Sequence, residues 1–166
     1  MNYELTEKSI INKYGIKLFQ IRALVDIGEI KAGTLGGYIE HTGNLINDAW
    51  VGDEAQVWGK AVVTDHARVY ENAKVKDYAM IFGNSKIYGD SLVEERAVVS
   101  RNANVFGHAR ICDLAIVSDY AKVKDKAVIR DEAQVFDNAI VCDKATICGK
   151  VKLGGSANLG GEGYLF

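Results

Sequence analysis

Residues 97–150 read AVVSRNANVFGHARICDLAIVSDYAKVKDKAVIRDEAQVFDNAIVCDKATICGK, and alanine returns at every sixth position from Ala97 to Ala145. Two residues after each alanine stands a valine or isoleucine, from Val99 to Ile147. Stepping outward in both directions extends the small column from Gly37 to Gly163, broken only by Val151. The aliphatic column extends from Ile39 to Leu165, giving 22 hexads with no insertion or deletion. Two positions beyond each aliphatic residue, from 41 to 161, 16 of 21 residues are Asp or Gly. Both suit tight turns: Gly because positive φ costs it nothing, Asp because its carboxylate bonds nearby backbone. A helix turning every 3.6 residues loses phase with a period of six. A short strand followed by a corner keeps it.

Composition agrees. The chain has 166 residues, 17 glycines and no proline, as suits a chain built of ladders and turns. Twenty basic and 22 acidic residues leave a net charge of −2, which excludes a general nucleic-acid polycation. There is no apolar run long enough for a transmembrane helix, and MNYELTEKS lacks the charged and apolar regions of a signal peptide. Three cysteines without framework spacing point to a reducing, cytoplasmic setting.

The repeat small–x–aliphatic–x–turn–turn resembles the hexapeptide-repeat left-handed parallel β-helix, in which three hexads close one triangular coil. The resemblance covers residues 37–165 and implies an all-β prism of about seven 18-residue coils. The left hand comes from the resemblance, since crossover rules alone favour the right hand. With coils about 4.8 Å apart the prism is roughly 35 Å long. Residues 1–36 lack the period and are expected to form a β cap over the first coil, with strands at Ile16–Leu24 and Leu24–Ile30. The block RALVDIGEIKAGTLGGYIE (22–40) resembles the N-terminal part of uncharacterised hexapeptide-repeat proteins of bacteria and prophages. That implies a bacterial host and a phage-encoded origin. Tyr164 and Phe166 are expected to cap the last coil.

Residues 18 apart stack in external columns, so the outward positions sort into three faces. Face one (Tyr38/Glu40, Gln56/Trp58, Lys74/Lys76, Leu92/Glu94 and onward) reads as an ordinary solvated surface with one exposed tryptophan, Trp58. Face two carries no charge on any strand position up to Phe136. Its Ile46, Val62, Met80, Phe82, Val98, Ile116 and Phe136 form the candidate oligomer interface. β-branched residues suit strands anyway, but Met80 and Phe82 are not of that kind. Face three stacks Arg68 and Lys86 beside Tyr70, Tyr88 and Phe106, with Lys122 further along. These six are the candidate site for an anionic, nucleotide-like ligand. An aromatic ladder that only ties coils together would also explain the three rings.

The resemblance also implies a catalytic alternative. Hexapeptide acyltransferases use a histidine base near a subunit interface, often beside an extruded loop. Here no loop interrupts the array, and the candidates are His66 and His108, with His41 the only other histidine. No two histidines share an 18-residue column, so a three-histidine metal site is not expected. Asp113/Asp131, Asp119/Asp137 and Asp125/Asp143 stack as adjacent acids, which calcium can use, although the turn role explains them without a metal. No cofactor is expected. Cys112 and Cys148 share a column two coils apart, too far for a disulfide. The expected function is a non-catalytic, homo-oligomeric binding protein, a trimer by resemblance, that sequesters a nucleotide-like ligand. The alternatives are an acyltransferase and a structural or filament-forming protein.

Overall fold

The computed structural model describes all 166 residues and is a three-sided parallel β-solenoid of about seven coils. Every pairing in the repeat array links residue i to i+18: Val62 to Met80, Met80 to Val98, Val98 to Ile116. The strands of the repeat array are two residues long; with three longer strands of the cap joining face one, they build sheets of ten, six and seven strands on faces one, two and three respectively. Alternation turns the second residue of each strand inward. Val51 through Ile147 in the aliphatic column and Ala49 through Ala145 in the small column form one continuous buried core. Burying each valine or isoleucine stabilises the coil stack by about 1.5–3 kcal/mol. Ser85 and Ser91 fit the small column because each hydroxyl donates to a carbonyl three residues back, Phe82 O and Tyr88 O, both at 2.8 Å.

The corners depend on backbone of unusual hand. Thirteen non-glycine residues have positive φ, between 52° and 63°, and nine of them are Asp. The left-handed conformation costs roughly 1–2 kcal/mol for a residue with a Cβ. The expected local bond is not what offsets it. Apart from Asp119, which accepts from Arg101 and Ser118, each corner carboxylate reaches along the prism and accepts the amide of the matching corner one coil later: Asp53 from Glu71 (3.0 Å), Asp65 from Gly83 (3.1 Å), Asp113 from Asp131 (3.0 Å), Asp143 from Gly161 (2.7 Å). Glu71 does the same for Gly89 at 2.7 Å. The acids are therefore clamps between coils.

The cap differs from expectation in detail. It is an antiparallel meander, β1 (Tyr3–Ile11), β2 (Lys17–Ala23) and β3 (Leu35–Ile39), and β3 pairs in parallel with Gln56–Val57 to continue face one. β2 lies where a strand was expected, but Leu24–Ile30 is a loop closed by a bridge between Ile27 and Ile30. β1 was not expected; its Glu4, Glu7 and Lys8 disguise the alternation. Tyr3, Ile21, Ala23 and Ile27 join the core of the first coil, and Tyr3 Oη donates to Leu45 O at 2.8 Å. On face two the first hexad is a 3-10 turn, Thr42–Asn44, rather than a strand. Asn44, expected to face outward, is buried and donates to Gly59 O and Ala61 O. At the other end Tyr164 and Phe166 do not cap the last coil. Both are exposed, their ring centroids 5.8 Å apart.

Candidate binding site on the third face

The cap decides which outward residues remain free. Trp50 opens the first column of face three but is buried beneath the cap against Gly36. Trp58 on face one is buried too, packed with Leu18, Tyr38, Ile10 and Ile16, with Tyr14 5.7 Å away. The expectation of an exposed Trp58 on a solvated face is therefore corrected: the β1–β2 hairpin lies over it.

The loop between β2 and β3 borders face three one coil further along. Gly28, Glu29 and Ile30 of that loop, with His66, Arg68, Tyr70, Asn84 and Lys86, line a cavity of about 320 Å³. Arg68 and Lys86 pair directly in the ladder. Arg68 is anchored by one nitrogen, Nη1, which donates to the carbonyls of Asp48 (2.6 Å), His66 (3.0 Å) and Ala67 (3.1 Å). Its other terminal nitrogen faces the Gly28 backbone, where a Cβ would lie 3.5 Å away. Burial holds the Tyr70 phenol above its usual range; Arg68 opposes that shift, and Glu29 and Asp53 reinforce it. Glu29 is the one carboxylate lining the cavity. Tyr70 is thus a neutral hydrogen-bonding ring beside two cations.

The six residues expected to act together are divided by the structure. Arg68, Tyr70 and Lys86 share the cavity. Tyr88 and Phe106 stack on each other, centroids 4.8 Å apart and planes 2° from parallel, which is the ladder arrangement. Lys122 lies in a separate groove with Asn104, Tyr120, Asn138 and Ile140. Gly28, Glu29 and Ile30 were not read from sequence because the cap has no period to place them. His66 and Asn84 were legible in principle: they are 18 apart, at the corner beside Arg68 and Lys86.

Face two keeps its apolar character. Met80 and Ile46 are each 46% exposed, while Val62, Phe82, Val98, Ile116 and Phe136 are half-buried. The Phe136 ring lies over Gly154, so it is satisfied partly within the chain. Exposed corner residues enlarge the patch: Tyr78 and Leu114 on one border, Tyr120 on the other. Lys60 and Arg96 flank the Tyr78 ring at 5.1 and 5.7 Å.

The histidines have separate surroundings. His66 Nδ1 lies 3.8 Å from Asp48, and His108 Nδ1 lies 3.7 Å from Asp90, each acid one coil earlier. His41 caps the 3-10 turn through Nδ1 and meets Gly59 O through Nε2 at 3.0 Å. Two clusters, Glu95–Cys112–Asp113 and Asp125–Cys142–Asp143, bring oxygen and sulfur atoms within 4.8 Å of one another. In both, the acids already accept ladder amides. Burial also pushes the Cys112 thiol up to about 11, against thiolate formation. Comparison with known proteins found no matching family model and no matching curated protein.

Proposed function

We propose that the protein is a non-catalytic binding protein for a small anion carrying a planar ring, for which nucleotides are the first probes. The observation that carries this reading is the charge distribution of face three. Its strand positions hold Arg68, Lys86, Lys122 and Lys124 and no acid over seven coils, in a chain of net charge −2. The cap loop turns the first two of these cations into a cavity with Tyr70. An anchored guanidinium is pre-organised for a carboxylate or phosphate, and the neighbouring ammonium adds charge. Isothermal titration against a panel of nucleotides and inorganic phosphate tests it. Binding that weakens at least tenfold in Arg68→Ala and Lys86→Ala supports the reading; no heat with any member of the panel ends it.

Assembly belongs to the same reading. Face two carries no charge on its strand positions up to Phe136, and its apolar patch fits a second and third copy of the chain arranged in parallel. Met80→Glu combined with Phe82→Lys places charges at its centre that association would have to desolvate. Light scattering is expected to show a trimer for the wild type and a soluble monomer for the variant. A monomeric wild type refutes the assembly.

The acyltransferase reading keeps one supporting observation, the recurrent His–Asp pairs at His66 and His108. It predicts acyl transfer from an acyl-CoA that His66→Ala or His108→Ala abolishes. The filament reading is disfavoured by the cap, which covers one end of the prism and blocks head-to-tail stacking of coils.

A further inference from the structure

Face three has a second concavity. Asn104, Tyr120, Lys122, Asn138 and Ile140 line a groove of about 330 Å³. Lys122 is exposed, while its cationic neighbours Arg101 and Lys124 are paired with Asp119 and Asp125. Asn104 Nδ2 donates to Asn102 O at 3.1 Å, which leaves its Oδ1 to the groove.

This groove continues the column of the cap-side cavity. Arg68, Lys86, Asn104 and Lys122 pair in succession along one ladder. At a coil spacing of about 4.8 Å, Lys86 and Lys122 are about 10 Å apart and Arg68 and Lys122 about 14 Å. Amides run from one concavity to the other: Asn84 lines the first, Asn104 and Asn138 line the second, and Asn102 lies between. Asn84 and Asn102 stack at the corner, Nδ2 to Oδ1 at 3.4 Å, with Asn138 beyond them.

We infer that face three takes one elongated acidic sugar chain laid along the prism axis. Its carboxylates meet Lys122 at one end and Arg68 with Lys86 at the other, and its hydroxyls meet the asparagines between. The inference rests on the reading of the Arg68–Lys86 cavity as an anion site. An amide offers both donor and acceptor, as a sugar hydroxyl requires. Ile140 and the Tyr120 ring supply apolar surface for sugar C–H groups. The rise of an extended sugar unit is close to that of a coil, so successive units meet successive coils. A single-stranded nucleic acid is matched less well. It needs open aromatic faces on which to stack bases, and Tyr88 and Phe106 turn theirs toward each other.

The test is titration of the full chain with a uronate monomer, dimer and tetramer, using a tetranucleotide as comparator. The tetramer is expected to bind roughly tenfold tighter than the dimer, because its second contact is intramolecular. Lys122→Ala should abolish that gain and leave the monomer unaffected, while Arg68→Ala should weaken every member. A tetramer no tighter than the monomer, or no response to Lys122→Ala, overturns the extended chain but leaves the anion cavity standing. Tighter binding of the tetranucleotide with the same Lys122 dependence replaces the sugar with a nucleic acid and overturns the inference. If uronates do not bind while a nucleotide does, the sugar is refuted alone; silence from uronates, nucleotides and phosphate alike refutes the cavity as well.

Discussion

Face one and face two share a backbone, an axial core and a coil spacing, yet their outward residues end in opposite conditions. Face one settles its accounts within the chain. Trp58 is covered by the cap hairpin, and Glu94 lies between Lys76 of its own stacked column (2.7 Å) and Arg110 of the adjacent column (2.5 Å). Face two has no such partners. Met80 stands in water with Val62 and Val98 beside it, and no segment of the chain crosses it. On a solenoid the ladder hydrogen bonds are made whatever stands at the outward positions, so those positions are open to other uses. An outward side chain that is satisfied in the monomer reports on stability. One that is not reports on what the monomer meets.

That contrast can be broken by mutation. Trp58→Ala should cost the most, about 3–5 kcal/mol, read as a drop in the denaturation midpoint, because it empties the cluster under the hairpin. If the loss is under about 1 kcal/mol, the hairpin does not hold face one in solution. Glu94→Ala should cost about 2–3 kcal/mol, below the range for a fully buried pair, because Arg110 is half exposed. Glu94→Gln should recover part of it. Met80→Ala should change monomer stability by less than about 0.5 kcal/mol, yet shift the assembly toward monomer in light scattering. A large stability loss would mean that face two is satisfied internally after all. Glu29→Gln should act on binding alone, tightening anions a few-fold by removing the one carboxylate that lines the cavity.

The smallest effect per residue is the pH response of the corner clamps, and it acts on all three edges. The amide of Asp131 holds Asp113 below its usual range, and the amide of Asp143 does the same for Asp125. A depressed carboxylate contributes stability above its unfolded value and loses it as pH falls through the folded one. Thermal stability is therefore expected to fall progressively below about pH 4. Glu95 works in the opposite sense, its carboxyl raised first by its hydrogen bond with Asp113. Asp125→Asn should flatten the acid slope, as followed by circular dichroism melts. An unchanged slope would show that the clamps do not form in solution.

The repeat array was legible because it is periodic. Once Ala97 and Val99 fixed the phase, every axial residue and every ladder partner followed by counting. The clamps were half legible: Asp113 was recognised as a corner residue, but its partner Asp131 was read as a second stacked carboxylate that calcium can use rather than as the owner of the amide that Asp113 accepts. The cap was poorly legible because contacts made by an aperiodic segment leave no mark on the residues it covers. Trp50 and Trp58 have the same local sequence context as exposed positions, and only Tyr3, Leu18 and the hairpin distinguish them. The cavity at Arg68 was missed in the same way, since half of its wall is the loop at Gly28–Ile30.

The stacking register of 18 also acts as a reading frame. Deleting one whole coil shortens the prism and leaves each downstream residue on its own face, with each clamp meeting an equivalent amide. Deleting a single hexad keeps the core intact but passes every later residue to the neighbouring face, so that the downstream residues of face three would interrupt the apolar column around Met80. A core that tolerates six-residue slips would not preserve three distinct faces by itself. The 22 hexads without insertion or deletion are what faces with separate tasks require, and length in such a chain can change safely only in threes of hexads.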